Sequence, residues 1–199
     1  MNIERPASPQ PLPPHAKKVF GGVLFDIYQW EQEMFDGTNK TFEKLTRPDT
    51  VVIYPVLPDG RIILINEEQP GLAKHVLPKP VAGRLEPGED PEAGALRELR
   101  EESGYDAKTL TLWKAMQGYP TTKVDYAIFS FIAKNITQVG PPELDGGEKI
   151  TLTTVTFDEF IEIGSNPVFF ERDVHPDIVA AKYDPQKREE LRKLFDPAI

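Results

Sequence analysis

The chain has 199 residues, 39% hydrophobic and 28% charged, an ordinary balance for one soluble globular domain with a full core. Its 32 acidic against 23 basic residues leave a net charge of −9, which argues against a nucleic-acid partner, because such binding draws its affinity from Lys and Arg placed on phosphates. There is no cysteine for disulfide or thiolate chemistry, as suits a reducing cytoplasm, and neither a signal-type apolar run nor a stretch near 18 apolar residues is present, so no membrane partner is expected.

Residues 1–16, with Pro6, Pro9, Pro11, Pro13 and Pro14 and few large apolar side chains, read as a disordered Pro-rich tail. Residues 17–47 read as an amino-terminal antiparallel β-hairpin subdomain: Val19, Phe20, Val23, Phe25, Ile27, Tyr28 and Trp30 form one arm, Asp36-Gly37 the turn, and Lys40 to Thr46 the other arm. Residues 48–199 then form the main domain. Thr50 to Leu57 and Arg61 to Asn66 predict a second hairpin around Pro58-Asp59-Gly60, ending at the polar Glu67-Glu68-Gln69. The segment His75 to Ala82 carries Pro78 and Pro80, which limits it to short strand pairing.

Next comes Gly83 to Tyr105, GRLEPGEDPEAGALRELREESGY. Asp90 is placed to cap a helix, Pro91 to occupy its first turn and Gly104 to end it in the left-handed conformation. Glu98, Glu101 and Glu102 share one helix surface at spacings of three and four, where like charges weaken a helix unless something neutralises them. A hard divalent cation does so through oxygen ligands.

Beyond the helix, Lys108 to Met116 and Val124 to Ala133 read as strands separated by the loop Gln117 to Lys123, which contains Pro120. A polar connection from Asn135 to Glu148 precedes a strand over Ile150 to Phe157. Thr156 and Glu159 form a capping box for a helix from Phe157 to Ile163, His175-Pro176 reads as a helix entry, and Asp184-Pro185 opens a last helix. Strands alternating with helices imply an α+β chain with a mixed sheet covered on both faces. His15, His75 and His175 are too scattered for a zinc site or a histidine-based nucleophile.

Gly83, Glu89, Arg97, Glu98, Leu99, Glu101, Glu102, Gly104 and Tyr105 fit the pattern G-x5-E-x7-R-E-U-x-E-E-x-G-U, so the chain resembles the Nudix hydrolases, with Tyr105 where an aliphatic residue is more usual. The resemblance spans roughly residues 50–162 and implies an α/β/α sandwich in which the box forms a loop, helix and loop beside the sheet. It implies that Glu98, Glu101 and Glu102, with the carbonyl of Ala82 or Gly83, ligate Mg2+ or Mn2+, that Arg97 orients a glutamate, and that Glu89 supports it.

Pro120, fifteen residues beyond Tyr105, together with the aromatic hairpin, resembles the ADP-ribose and ADP-sugar pyrophosphatases. That likeness implies hydrolysis of a nucleoside diphosphate sugar to a nucleoside monophosphate and a sugar phosphate. It also implies a homodimer exchanging amino-terminal strands and a catalytic base from the loop before the last strand, with Glu148 ahead of Glu143 and Asp145. Tyr28, Trp30, Arg84 and Pro120 are the substrate-binding candidates. Glu67-Glu68-Gln69-Pro70 stands where those enzymes carry an arginine-containing segment, and Thr121-Thr122-Lys123 where they carry an acidic patch, so the contacts to the terminal ribose do not transfer. GDP- or UDP-sugars, dinucleoside polyphosphates, coenzyme A, and a non-catalytic nucleotide-sugar-binding module are the alternatives.

Overall fold

The structure is a computed structural model and describes residues 3–71, 77–118, 123–144, 146–169, 171 and 173–198. In chain order its elements are β1 (Lys17–Gly21), β2 (Asp26–Glu33), β3 (Asn39–Thr46), β4 (Thr50–Pro55), β5 (Ile62–Glu68), β6 (Val81–Arg84), α1 (Pro91–Ser103), β7 (Tyr105–Gln117), β8 (Val124–Asp125), β9 (Ala127–Gln138), β10 (Lys149–Val155), α2 (Phe157–Gly164), α3 (His175–Tyr183) and α4 (Pro185–Leu194).

The central sheet has the order β6-β4-β9-β7, with β4 parallel to β9 and the other pairs antiparallel. Strand β4 is apolar on both faces because both are covered. Val51 and Ile53 pack with Ala95 and Leu99 of α1, whereas Val52 and Tyr54 pack on the other side with Phe160, Ile178, Leu191 and Phe195 from the three carboxy-terminal helices. This is the expected α+β sandwich around a mixed sheet. No helix among the described residues is long and apolar enough to cross a membrane.

Several local expectations hold for the reasons that produced them. Helix α1 begins after Asp90, whose carboxylate accepts from the N–H groups of Glu92 and Ala93, and ends at Gly104 with φ 74°. Helix α2 starts at the Thr156–Glu159 capping box, and α4 at Asp184.

Four features differ. The arm expected to run unbroken from residue 17 folds back at Gly22, whose N–H donates to Phe25 O at 2.8 Å, so the amino-terminal sheet begins as three strands, β1-β2-β3, with β8 of the main domain added in parallel at its edge. Strands β4 and β5 are joined by the expected turn, with Leu57 N–H donating to Arg61 O at 2.8 Å, but they separate into different sheets, β5 pairing instead with β10 from Val155↔Ile62 to Lys149↔Glu68. Strand β9 continues to Gln138, which shortens the polar connection before β10 to residues 139–148.

The fourth is the tail, expected to be disordered, which is tied down. Arg5 donates to Asp49 at 2.7 and 3.0 Å and to Asp125 at 2.8 Å, and Ile3 packs against the α1-side core. The fully buried Lys44 ammonium reaches Ser8 Oγ, the Gln10 carbonyl and, at 3.2 Å, Asp125. A lysine taken out of water needs such partners, and the tail supplies two of them.

Candidate active site

The site is built where the last strand before the box meets the box helix. Strand β6 pairs with the buried β4 through Val52↔Ala82 and Val51↔Gly83, which fixes the Ala82-Gly83 backbone rigidly. Helix α1 lies across it. Glu102, 6% exposed, accepts a hydrogen bond from the Ala82 N–H at 3.0 Å. Glu98 lies directly over Gly83: a β-carbon built on that glycine falls 1.9 Å from the Glu98 Cδ. Glycine is needed here because the carboxylate occupies the space a side chain would take.

Arg97 ties the loop to the helix. Its guanidinium donates to both Glu89 oxygens at 2.9 Å, to the Arg84 carbonyl at 2.9 Å, to Glu98 at 2.8 Å and to Glu101 at 3.0 Å. The planar fork suits this bidentate grip. These bonds hold the Glu89 carboxyl below the usual carboxylate range, and its Oε2 also accepts from the Glu86 N–H at 2.9 Å.

Burial governs the other two acids. It pushes Glu98 up, against the pull of Arg97, and the charges of Glu101 and Glu148 add to the rise. It pushes Glu102 up to about 8, against Lys79 and the Ala82 N–H, with Glu98 and Glu67 adding. These carboxylates crowd one another in a poorly solvated place, where perturbed acids mark a functional site.

Among the described residues no three acids or histidines converge as a ready ligand set. Arg97 draws Glu98 and Glu101 to one side while the Ala82 N–H holds Glu102 on the other. The residues nonetheless suit a hard cation: every nearby donor is a carboxylate or backbone oxygen, and the burial that disfavours charge on Glu98 and Glu102 is what a bound divalent ion offsets.

The sequence candidates are placed as follows. Glu98, Glu101, Glu102, Arg97 and Ala82 come together at the β6–α1 contact. Glu148, half-buried at the last position before β10, is near enough for its charge to act on Glu98. Its loop is docked to the helix end, with Glu143 N–H donating to Glu101 O at 2.8 Å and Val139 N–H to Gly104 O at 2.9 Å. The Arg84 side chain is exposed beside the loop. Tyr28 is half-buried on β2, but Trp30 is turned into its own sheet, 4% exposed, with its ring 5.8 Å from Phe42 and its N–H donating to Gln32 at 3.2 Å. That packing covers the ring of this substrate-binding candidate within its own sheet. Pro120 and Asp145 lie outside the described residues.

Sequence reasoning missed the Lys79–Glu67 ion pair, whose side chains are 12% and 7% exposed. The one available signal was a lysine fixed between Pro78 and Pro80 just ahead of an acidic motif.

Comparison with known proteins accords with this geometry. The NUDIX domain model matches residues 46–175. The chain is similar to an ADP-ribose pyrophosphatase of Bacillus subtilis (strain 168), 32% identical over 148 residues that make up 74% of this chain and 79% of the relative. It is also similar to a methanol dehydrogenase activator of Bacillus methanolicus, 27% identical over 147 residues, 73% of this chain and 78% of the relative. A crystal structure of an ADP compounds hydrolase shares the fold with a TM-score of 0.68 at 24% identity, covering 92% of this chain and 98% of that one.

Proposed function

The chain belongs to the NUDIX domain family, and from that premise we propose that it hydrolyses the diphosphate of an ADP-sugar, ADP-ribose foremost, to AMP and a sugar phosphate. The observation that carries this reading is the pair of glutamates, half-buried Glu98 and buried Glu102, set against the Ala82-Gly83 backbone, next to Arg97 and within reach of the charge of Glu148.

A divalent cation of the Mg2+ or Mn2+ kind, when bound, neutralises diphosphate charge and lowers the pKa of water. Glu98, Glu101, Glu102 and the carbonyl of Ala82 or Gly83 would hold it. Arg97 keeps Glu98 and Glu101 oriented and braces the loop through Glu89. Glu148 is assigned as the base. It makes no bond to Arg97 and is therefore free to accept the proton as the water oxygen joins one phosphorus and the bond from that phosphorus to the bridging oxygen breaks. Arg84 and Tyr28 are assigned to substrate binding.

We place the enzyme in the cytoplasm, where a cysteine-free chain loses nothing to the reducing environment. We also assign it a homodimer, because Val19, Phe20, Val23, Phe25 and Phe35 are exposed on the strands and turns of the amino-terminal sheet, more large apolar side chains than such a sheet commonly leaves bare.

The test is a panel of ADP-ribose, other ADP-sugars, GDP- and UDP-sugars, dinucleoside polyphosphates and coenzyme A with Mg2+, product masses being recorded. AMP and a sugar phosphate from the ADP-sugars, at a kcat/KM at least tenfold above the rest, is the expected result. Preference for a guanine or uridine compound would replace the substrate, and no turnover of any member would leave a binding module.

A further inference from the structure

The carboxylate row has an internal cation at each end. Arg97 serves Glu98 and Glu101. At the Glu102 end stands Lys79, three residues before the backbone amide that Glu102 accepts from. Its position is fixed twice over. The Lys79 backbone exchanges two hydrogen bonds with Ile65, at 2.7 and 2.9 Å, and its ammonium contacts Glu67, whose other oxygen is held by Gln69 at 2.6 Å. Prolines on both sides limit the backbone further. The ammonium is nearly out of water, and its charge acts on both Glu102 and the buried Glu171.

We propose that Lys79 is a resident counter-ion of the site, which stabilises the carboxylates while no metal is bound and lowers their affinity for a divalent cation. The Glu67 carboxylate offsets part of the Lys79 charge, and the remainder, in a poorly solvated setting, repels an incoming double charge. The sign is the same whether Glu102 starts ionised or neutral, since in either case binding raises the positive charge facing Lys79. Lys79 acts through the carboxylates and is thus a positioning residue. The consequence is a site that takes metal weakly by itself and more tightly when a diphosphate supplies further negative charge.

This inference rests on the metal reading of the box, and the experiment separates the two. Mn2+ is titrated into the full chain without substrate, and free Mn2+ is followed by its electron paramagnetic resonance signal. Lys79→Met is expected to tighten Mn2+ binding on the order of tenfold, while Lys79→Arg stays within about twofold of the parent. Lys79→Gln keeps a donor for Glu67 without the charge, and carries the test if Lys79→Met does not fold. Affinity unchanged or weakened in the neutral variants, with Mn2+ still bound by the parent chain, overturns the role of Lys79. No Mn2+ bound by the parent, with and without ADP-ribose, overturns the metal reading and this inference with it.

Discussion

Each residue at the site performs one task that its neighbours make necessary. Glu102 is buried and holds the Ala82 amide, so Glu102→Gln keeps the size and the hydrogen-bond acceptor but removes a ligand charge. Turnover of ADP-ribose with Mg2+ is expected to fall by about 10²-fold or more with the circular dichroism spectrum intact; activity near that of the parent would sink the ligand assignment. Gly83→Ala tests the same contact from the sheet side. Its new methyl would meet the flexible end of Glu98, so the fold survives while the carboxylate is displaced and kcat drops. Away from the site, Glu171 is buried near Asp173, with Oε1 lacking a hydrogen-bond partner among the described residues. Burial pushes its carboxyl up to about 8 from an ordinary 4.5. The folded state therefore binds this proton more tightly than the unfolded one. Stability from this group is complete below the ordinary value, declines as pH rises towards 8, and is level beyond. In Glu171→Gln the loss of unfolding free energy over that range, read from urea denaturation at stepped pH, should shrink by a few kcal/mol, at about 1.4 kcal/mol per pH unit.

At the scale of elements, the end of α1 links the box to the loop that carries Glu148. Gly104 adopts φ 74°, and a β-carbon there would lie 2.3 Å from the Gly140 carbonyl oxygen, so no other residue lets strand β9 and its following loop turn this closely past the helix. Gly104→Ala is expected to lower stability by more than the ~1 kcal/mol of an ordinary left-handed position, because the docked backbone must also move. The loop itself is tested by Glu143→Gln and Glu148→Gln. Glu148→Gln should leave KM near normal and reduce kcat by about 10²-fold or more, the loss typical of a missing general base. Glu143→Gln should retain kcat, since what anchors the loop at that residue is its backbone N–H to Glu101 O. The reverse pattern would move the base to Glu143.

For the whole molecule, the amino-terminal segment and the amino-terminal sheet have separable parts to play. Arg5 and Lys44 converge on Asp125, and Arg5 also reaches Asp49, so residues 3–10 hold the amino-terminal sheet against the central one. Removing residues 1–14 strands Lys44 without Ser8 and Gln10 and should lower Tm by several degrees, roughly 2–4 °C per kcal/mol for a chain of this size, while the dimer persists. The proposed dimer rests on the outer sheet. Deletion through Asn39 removes Val19, Phe20, Val23, Phe25 and Phe35 together and is expected to yield a monomer by light scattering, with activity lost. A monomeric parent chain, or a deleted form that still hydrolyses ADP-ribose, would refute the dimer.

Features that follow from local chemistry are legible in the amino-acid order. The limits of α1 follow from Asp90, Pro91 and Gly104, the α2 start from the Thr156–Glu159 capping box, and the three glutamates share one surface because helical spacing leaves them no alternative. Features that depend on partners distant in the chain emerge with the fold. Strands β4 and β5 read as one hairpin, yet they part because β9 and β10, more than 60 residues on, offer each a longer ladder than they offer one another. The tail reads as disordered, and is ordered because the buried Lys44 needs oxygen ligands that composition cannot reveal. Trp30 reads as a substrate-binding candidate, yet β3 brings Phe42 beside it and buries the ring. The Lys79–Glu67 pair escapes notice in sequence because an ion pair becomes consequential only when the fold removes its water, and how much water remains at a charge is set by everything packed around it.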